Sequence, residues 1–258
     1  MKLGFIGMGN MATALARGFV ASGKIAGEEL IAFDPATDKL AAVAAQLGLC
    51  AVSSEREVAQ RADVVLMACK PYHVQGALEK LGDALSGKAL LSIALGWDHA
   101  RYRTVLQENV RVQFVMPNTP AMVGEGMFLF EQTNSLCKEE LDFARELFAA
   151  IGTVETLPSN LMGIGGALSG CGPAFVDLMI EAFADAGVLY GLPREQAMKL
   201  VSQTVLGAAK LQMETGLHPG ALKDMVCSPG GSTIRGVAAL EQNCFRGSAI
   251  AAIDAIMK

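Results

Sequence analysis

One glycine-rich turn constrains this chain more than any other feature. Lys2 to Ile6 is a short apolar run, and Gly7-Met8-Gly9-Asn10-Met11-Ala12 follows it directly, opening an Ala-rich segment of helical character. In a Gly-x-Gly-x-x-Ala run of this kind, the first glycine permits a tight turn. The second lets the backbone approach a pyrophosphate without a Cβ clash, and the alanine permits close helix–strand packing. The helix N-terminus then presents free N–H groups and a partial positive charge to phosphates. An ordinary tight turn uses the same residues, so the motif takes its meaning from its surroundings.

The surroundings alternate. Leu30 to Phe33, Val64 to Cys69, Ala89 to Ile93 and Val110 to Val115 read as strands. Asn10 to Ser22, Thr37 to Leu47 and Ser54 to Arg61 read as helices between them. Repeated β-α-β predicts a parallel sheet wound on both faces by helices. Met127 to Glu131 adds a further strand, Lys138 to Ile151 a helix, and Thr153 to Leu157 a last short strand. After Pro158 strand signals stop. Helices are expected over Pro173 to Leu189, Arg194 to Thr215, Pro219 to Val226, Ser232 to Gln242 and Arg246 to Met257, with Gly191, Pro193 and Gly216 as punctuation. The fold class is α/β: an N-terminal Rossmann-like, doubly wound dinucleotide-binding domain over residues 1–157, then an all-helical domain over residues 158–258.

Composition bears on the helical half. Hydrophobic residues make up 52% of the chain and charged residues 18%, and the mean hydropathy is +0.36. Several C-terminal helices are apolar on more than one face, and such helices must be buried. About 100 residues cannot bury them alone, so partner subunits are expected. A membrane span is the competing account, and it needs about 20 apolar residues in a row. Leu161 to Ile180 carries Ser169, Pro173, Asp177 and five glycines, so no span is expected. Lys2 leads into a strand and glycine turn rather than a signal-peptide core. Cys50, Cys69, Cys137, Cys171, Cys227 and Cys244 contain no Cys-x-x-Cys pair, which disfavours a zinc site and fits free thiols in a reducing cytoplasm. A net charge of −5 gives no sign of a nucleic-acid footprint.

Asp34 ends the second strand, where an acidic residue commonly bonds the adenosine ribose and repels a 2′-phosphate. Thr37 and Lys39 remain available to a phosphate if Asp34 turns away, and Asp34-Pro35 also reads as a simple turn. Ala68-Cys69-Lys70-Pro71, Ala94-Leu95-Gly96 and Met116-Pro117-Asn118-Thr119-Pro120 each follow a strand. Ligands in open α/β sheets bind at that edge, although glycine and proline also simply punctuate loops.

In the helical half, Cys227-Ser228-Pro229-Gly230-Gly231-Ser232-Thr233 is a tight turn feeding a helix. Consecutive backbone N–H groups beside two hydroxyls make a nest for a small anion such as a carboxylate. The same residues also suit a helix–helix turn with a Ser N-cap.

Asp224 to Gln242, with its Cys-Ser-Pro-Gly-Gly-Ser-Thr core and trailing Ala238-Ala239-Leu240-Glu241, resembles the signature of the pyrroline-5-carboxylate reductase family. So do Met116 to Pro120, Leu168-Ser169-Gly170-Cys171-Gly172-Pro173-Ala174, and His218 to Asp224. The resemblance spans essentially the whole chain. It implies reduction of 1-pyrroline-5-carboxylate to L-proline by NADPH or NADH, the last step of proline synthesis. It also implies a homodimer whose helical domains interlock, often assembled into rings. Gly230, Gly231, Ser232 and Thr233 then hold the substrate carboxylate, with Thr233 the catalytic candidate at the ring nitrogen. Ile6, Gly7, Met8, Gly9, Asn10, Met11, Asp34, Ala68, Cys69, Lys70, Pro71, Ala94, Leu95, Gly96 and Asn118 are the cofactor positions. The family favours NADPH, while Asp34 keeps NADH open. Cys171 stands at a position that varies in the family, and a thiol there is open to oxidation.

The rival reading is a two-domain dehydrogenase acting on a hydroxy acid or ketoacid, which needs a lysine acid–base in the helical half. Lys199, Lys210 and Lys223 are the candidates. His73, His99 and His218 have no evident partners and read as structural.

Overall fold

The computed structural model describes residues 1–258. Short aliphatic runs become fully covered strands. Leu3–Ile6 (β1), Val64–Met67 (β4) and Ala89–Ser92 (β5) are buried at every position, as central parallel strands must be. Leu30–Phe33 (β2), the two-residue Cys50–Ala51 (β3), Arg111–Met116 (β6), Gly126–Glu131 (β7) and Gly152–Leu157 (β8) complete the sheet. The helices of this half are Asn10–Ala21 (α1), Thr37–Leu47 (α2), Glu55–Arg61 (α3), Val74–Leu81 (α4), His99–Arg103 (α5) and Lys138–Ala149 (α6).

The strand order is β3-β2-β1-β4-β5-β6-β7-β8. Order therefore reverses between β1 and β4, the switch point at which a doubly wound sheet opens a ligand crevice. Alternating side chains feed two cores. Leu3, Phe5, Val64, Leu66 and Leu91 pack with Leu15, Phe19 and Phe148 on one face. Ile6, Val65, Met67 and Leu90 pack with Val58, Val74 and Leu81 on the other.

One strand outside the β-α-β repeat runs the other way. β7 runs antiparallel to β6, with Val115 opposite Phe130 and Met116 opposite Leu129. Residues 117–125 alone join them, and a parallel return needs a crossover of a dozen residues or more. After α6 crosses over, β8 returns parallel to β7. The fourth strand also ends earlier than expected, at Met67, which leaves Cys69 in the following loop. The short elements β3, α4 and α5 give no period long enough to read from sequence.

The chain divides into two compact units, Met1–Gly170 and Cys171–Lys258. The first includes a helix beyond the sheet, Met162–Gly166 (α7). Its glycines allow it to sit against β6 to β8: a Cβ on Gly166 would lie 2.2 Å from the Met116 sulfur, and one on Gly165 2.5 Å from Leu157. A π turn over Ala167–Cys171 follows.

The second unit holds Gly172–Leu189 (α8), Arg194–Thr215 (α9), Pro219–Met225 (α10), Ser232–Gln242 (α11) and Phe245–Met257 (α12). α8 starts with proline in its first turn, and Gly216 ends α9 in the left-handed conformation, φ +64°. Both follow the asymmetry of helix ends. Ala184 of α8 and Ala197 of α9 are the buried side chains of this unit. Large apolar residues stay exposed, among them Leu178 (65%) and Met213 (72%). Ser159–Leu189 is long and apolar enough to cross a membrane. It is nevertheless broken into a 3-10 turn, α7, the π turn and α8, and it carries Asp177.

Candidate active site

The first unit builds its site at the switch point. Gly7 takes φ +92°, and a Cβ there would fall 2.8 Å from the Cys69 backbone nitrogen, so only glycine fits the turn. Gly9 caps α1 with extended backbone and no side-chain cap bond, which leaves the first-turn N–H groups open beside Asn10 and Met11. A Cβ on Gly9 would meet nothing within 4 Å. Packing inside the chain therefore does not call for glycine at this position, whereas close approach of a ligand does. Ala12 is buried in the core under α1.

Asp34 emerges just past β2 and is held at two points. One carboxylate oxygen accepts the Met8 N–H at 2.7 Å, and the other accepts the Ala36 N–H at 2.8 Å. The residue thus forms the turn before α2 and braces the glycine loop together. Each oxygen keeps a free lone pair for a hydroxyl donor.

Ala68 and Cys69 continue beyond β4, beside Gly7. The Ala68 N–H donates to Ile6 O at 2.9 Å. Burial pushes the Cys69 thiol up to about 11, so it stays protonated and is no nucleophile at neutral pH. Lys70 is exposed and Pro71 half-buried. Beyond β5, Ala94 is buried, Leu95 is 66% exposed, and Gly96 takes φ +75°.

The chain uses Asn118 structurally. Its side-chain oxygen accepts the Met127 N–H at 2.8 Å, and its amide donates to Ser169 O at 3.0 Å. It pins the start of β7 and the π turn, an arrangement that its loop position does not reveal. Trp97 was not singled out from sequence. Its indole N–H donates to Pro71 O at 3.0 Å, joining the loops after β4 and β5. Its being the lone tryptophan, directly after Gly96, was the available signal.

In the second unit, Gly230 takes φ +68°, and the Gly231 N–H closes the turn on Ser228 O at 3.0 Å. Gly231, not serine, is the N-cap of α11, and no side chain caps the helix. This corrects the Ser N-cap alternative: Ser232 is already the first helical residue, and glycine leaves the first-turn donors free for an anion. Ser232 and Thr233 are both exposed.

The lysine rival finds little support. Lys223 bonds its neighbour Asp224, and that hydrogen bond raises its pKa, the wrong direction for a general base. Lys210 pairs with Glu214 at 3.7 Å. His218 is a helix cap, its Nδ1 accepting the Gly220 N–H at 3.0 Å. Burial, with Arg103 nearby, lowers the pKa of His99.

Known proteins share this plan. Residues 159–258 match the family model described as pyrroline-5-carboxylate reductase dimerisation. Residues 2–96 match the one described as NADP oxidoreductase coenzyme F420-dependent. The pyrroline-5-carboxylate reductase of Escherichia coli (strain K12) is 40% identical over 258 residues, all of this chain and 96% of the relative. The one from Methanosarcina acetivorans is 40% identical over 98% of this chain and 94% of its own length. A crystal structure of the Plasmodium falciparum enzyme with NADP bound superposes with a TM-score of 0.90 at 33% identity, covering 99% of this chain and 95% of that one. The Coxiella burnetii structure gives 0.91 at 32%, with the same coverage. Likeness this close runs through both the glycine turn and the helical unit with its Ser-Pro-Gly-Gly-Ser-Thr turn, and the chain belongs to the pyrroline-5-carboxylate reductase family.

Proposed function

We propose that the protein reduces 1-pyrroline-5-carboxylate to L-proline with hydride from NAD(P)H, the last step of proline biosynthesis. The observation that carries this reading is the uncapped Gly230-Gly231 turn in a member of this family. It supplies an anion nest next to the Thr233 hydroxyl, and no acid–base pair is needed beside it.

A bound reduced nicotinamide dinucleotide supplies the hydride. The open N–H groups of α1 and the bare Gly9 fit its pyrophosphate. The loops at 68–71 and 94–96 fit its nicotinamide half. The substrate is a cyclic imine, already a strong electrophile once its nitrogen is protonated. The N–H groups of Ser232 and Thr233, left free by the Gly231 cap, hold its carboxylate and so orient the ring. Thr233 Oγ1 accepts the iminium N–H. As hydride adds to the imine carbon, the C=N electron pair moves onto nitrogen, leaving a secondary amine that solvent protonates. Positioning and exclusion of water carry most of the rate.

The cofactor is NADH in preference to NADPH. Asp34 is anchored through both oxygens, so it does not swing clear for a 2′-phosphate, and Asp38 adds a second negative charge in the first turn of α2. The working form is a cytoplasmic homodimer, with rings of dimers as the larger assembly. The apolar faces of the second unit serve that interface rather than a bilayer.

The test is NADH and NADPH oxidation with 1-pyrroline-5-carboxylate, with proline identified as product. Expected is turnover with both and a kcat/KM about tenfold higher with NADH, with Asp34→Ser narrowing or reversing that ratio. No turnover in protein that still binds either cofactor discards the activity and moves the search to ketoacids.

A further inference from the structure

One buried side chain of the first unit joins two loops and is not used by the proposed reaction. Trp97 is 3% exposed and lies between the loop after β4 and the loop after β5. Its indole N–H donates to Pro71 O at 3.0 Å. Its ring leans on Tyr102, centroids 5.1 Å apart, and the Tyr102 hydroxyl bonds Ser92 at 2.9 Å. Ser92 in turn accepts the Ala94 N–H at 3.2 Å. Above the indole, the Arg101 guanidinium sits 4.1 Å from the ring centroid, and it donates to Gly96 O at 2.9 Å. Asp98 caps α5 on the Arg101 N–H at 2.8 Å, so the backbone carrying Arg101 is fixed as well.

We propose that Trp97 is a positioning residue: it sets the spacing of the two loops that cradle the nicotinamide, with Arg101 as its outer clamp. The inference rests on the cofactor reading of residues 68–71 and 94–96. Each loop is fixed on its own strand, but the indole hydrogen bond ties one to the other. A loop pair that samples wider spacings spends less time competent to bind, and apparent affinity falls by that fraction. The indole also becomes a built-in reporter, because an excited tryptophan beside a reduced nicotinamide passes energy to it.

Trp97→Phe tests the effect. It keeps an aromatic ring against Tyr102 and under Arg101, and removes the N–H donor together with part of the ring volume. Pro71 O keeps the Val74 N–H, so no carbonyl is left without a partner and the fold survives. Calorimetric titration with NADH, without imine, is expected to show affinity reduced about fivefold. KM for NADH rises in step, and KM for the imine stays fixed. Arg101→Met, at an exposed position, is expected to weaken binding about twofold. In the wild type, emission excited at the single tryptophan falls saturably with NADH, at the calorimetric midpoint. Wild-type affinity in folded Trp97→Phe, with only a lower Tm, reduces Trp97 to core filling and overturns the proposal. An indole unresponsive to bound NADH overturns it too. A wild type that binds no dinucleotide at all points instead to failure of the cofactor reading itself.

Discussion

The two units bury their apolar residues in opposite ways. The first covers both faces of its sheet, so that Phe5, Phe19, Phe128, Phe148 and Tyr102 have 0 to 1% of their surface exposed. The second buries Ala184 and Ala197 alone and leaves Leu178, Leu206, Met213 and Ile250 more than half exposed. Helices that present this much apolar surface do not stand alone in water. One unit completes its core within the chain, whereas the other leaves it to be completed by association, as the dimerisation family matched at 159–258 implies. On the reading proposed above the division of labour follows the same line, with the cofactor positions in the unit that is finished by itself and the carboxylate nest in the unit that is not.

Charging the unfinished surface should have the largest effect. Leu178→Glu puts a carboxylate on α8 where the side chain is 65% exposed in the single chain. If that face is buried against a second copy, desolvating the charge costs several kcal/mol. Light scattering is expected to show monomer at concentrations where the wild type is dimeric, with turnover falling by roughly two orders of magnitude. The wild-type Tm should rise with protein concentration while that of the variant does not. An unaltered mass for a folded Leu178→Glu protein removes α8 from the interface.

Thr233→Ala separates the two units by function rather than assembly. If the Thr233 hydroxyl holds the reacting nitrogen as proposed, its removal is expected to lower kcat about 10- to 100-fold. The dissociation constant for NADH, proposed to be set in the other unit, should not move. Wild-type kinetics in folded Thr233→Ala protein takes Thr233 out of the mechanism. A loss of NADH affinity as large as the loss of turnover denies the separation.

Long periodic segments were legible. α9 and α11 fall on Arg194–Thr215 and Ser232–Gln242, the residues that glycine punctuation and period 3.6 pick out. The glycine loop was legible as well, since φ +92° at Gly7 is a demand that few other residues meet. The direction of β7 was not read, because a strand's apolar pattern carries no sign of direction and the short 117–125 link decides it. Nor was the engagement of Asn118 with Met127 and Ser169, which depends on contacts 9 and 51 residues away. Asp34 lies between these cases: its type and place suggested a ribose partner, and the structure adds the two backbone donors that hold it still.

The smallest expected effect concerns how the finished unit holds its edge. Arg111 of β6 grips Glu140 of α6, its Nε lying 2.8 and 3.1 Å from the two carboxylate oxygens, and the Cys137 N–H adds a further bond at 3.0 Å. Burial alone would raise the Glu140 pKa, but the hydrogen bonds from Arg111 and Cys137 outweigh it and the pKa is lowered. A carboxylate with a lowered folded pKa stabilises above its unfolded value and loses that contribution as pH falls through the folded one. The Arg111 side chain is 32% exposed, so solvent screens the pair. Glu140→Gln should therefore cost only about 1 kcal/mol at pH 7, read as a lower denaturant midpoint. As pH falls through the lowered folded pKa of the wild-type carboxyl, the two midpoints should converge. A gap that persists unchanged into acid would mean that Glu140 acts through shape and packing rather than through its charge.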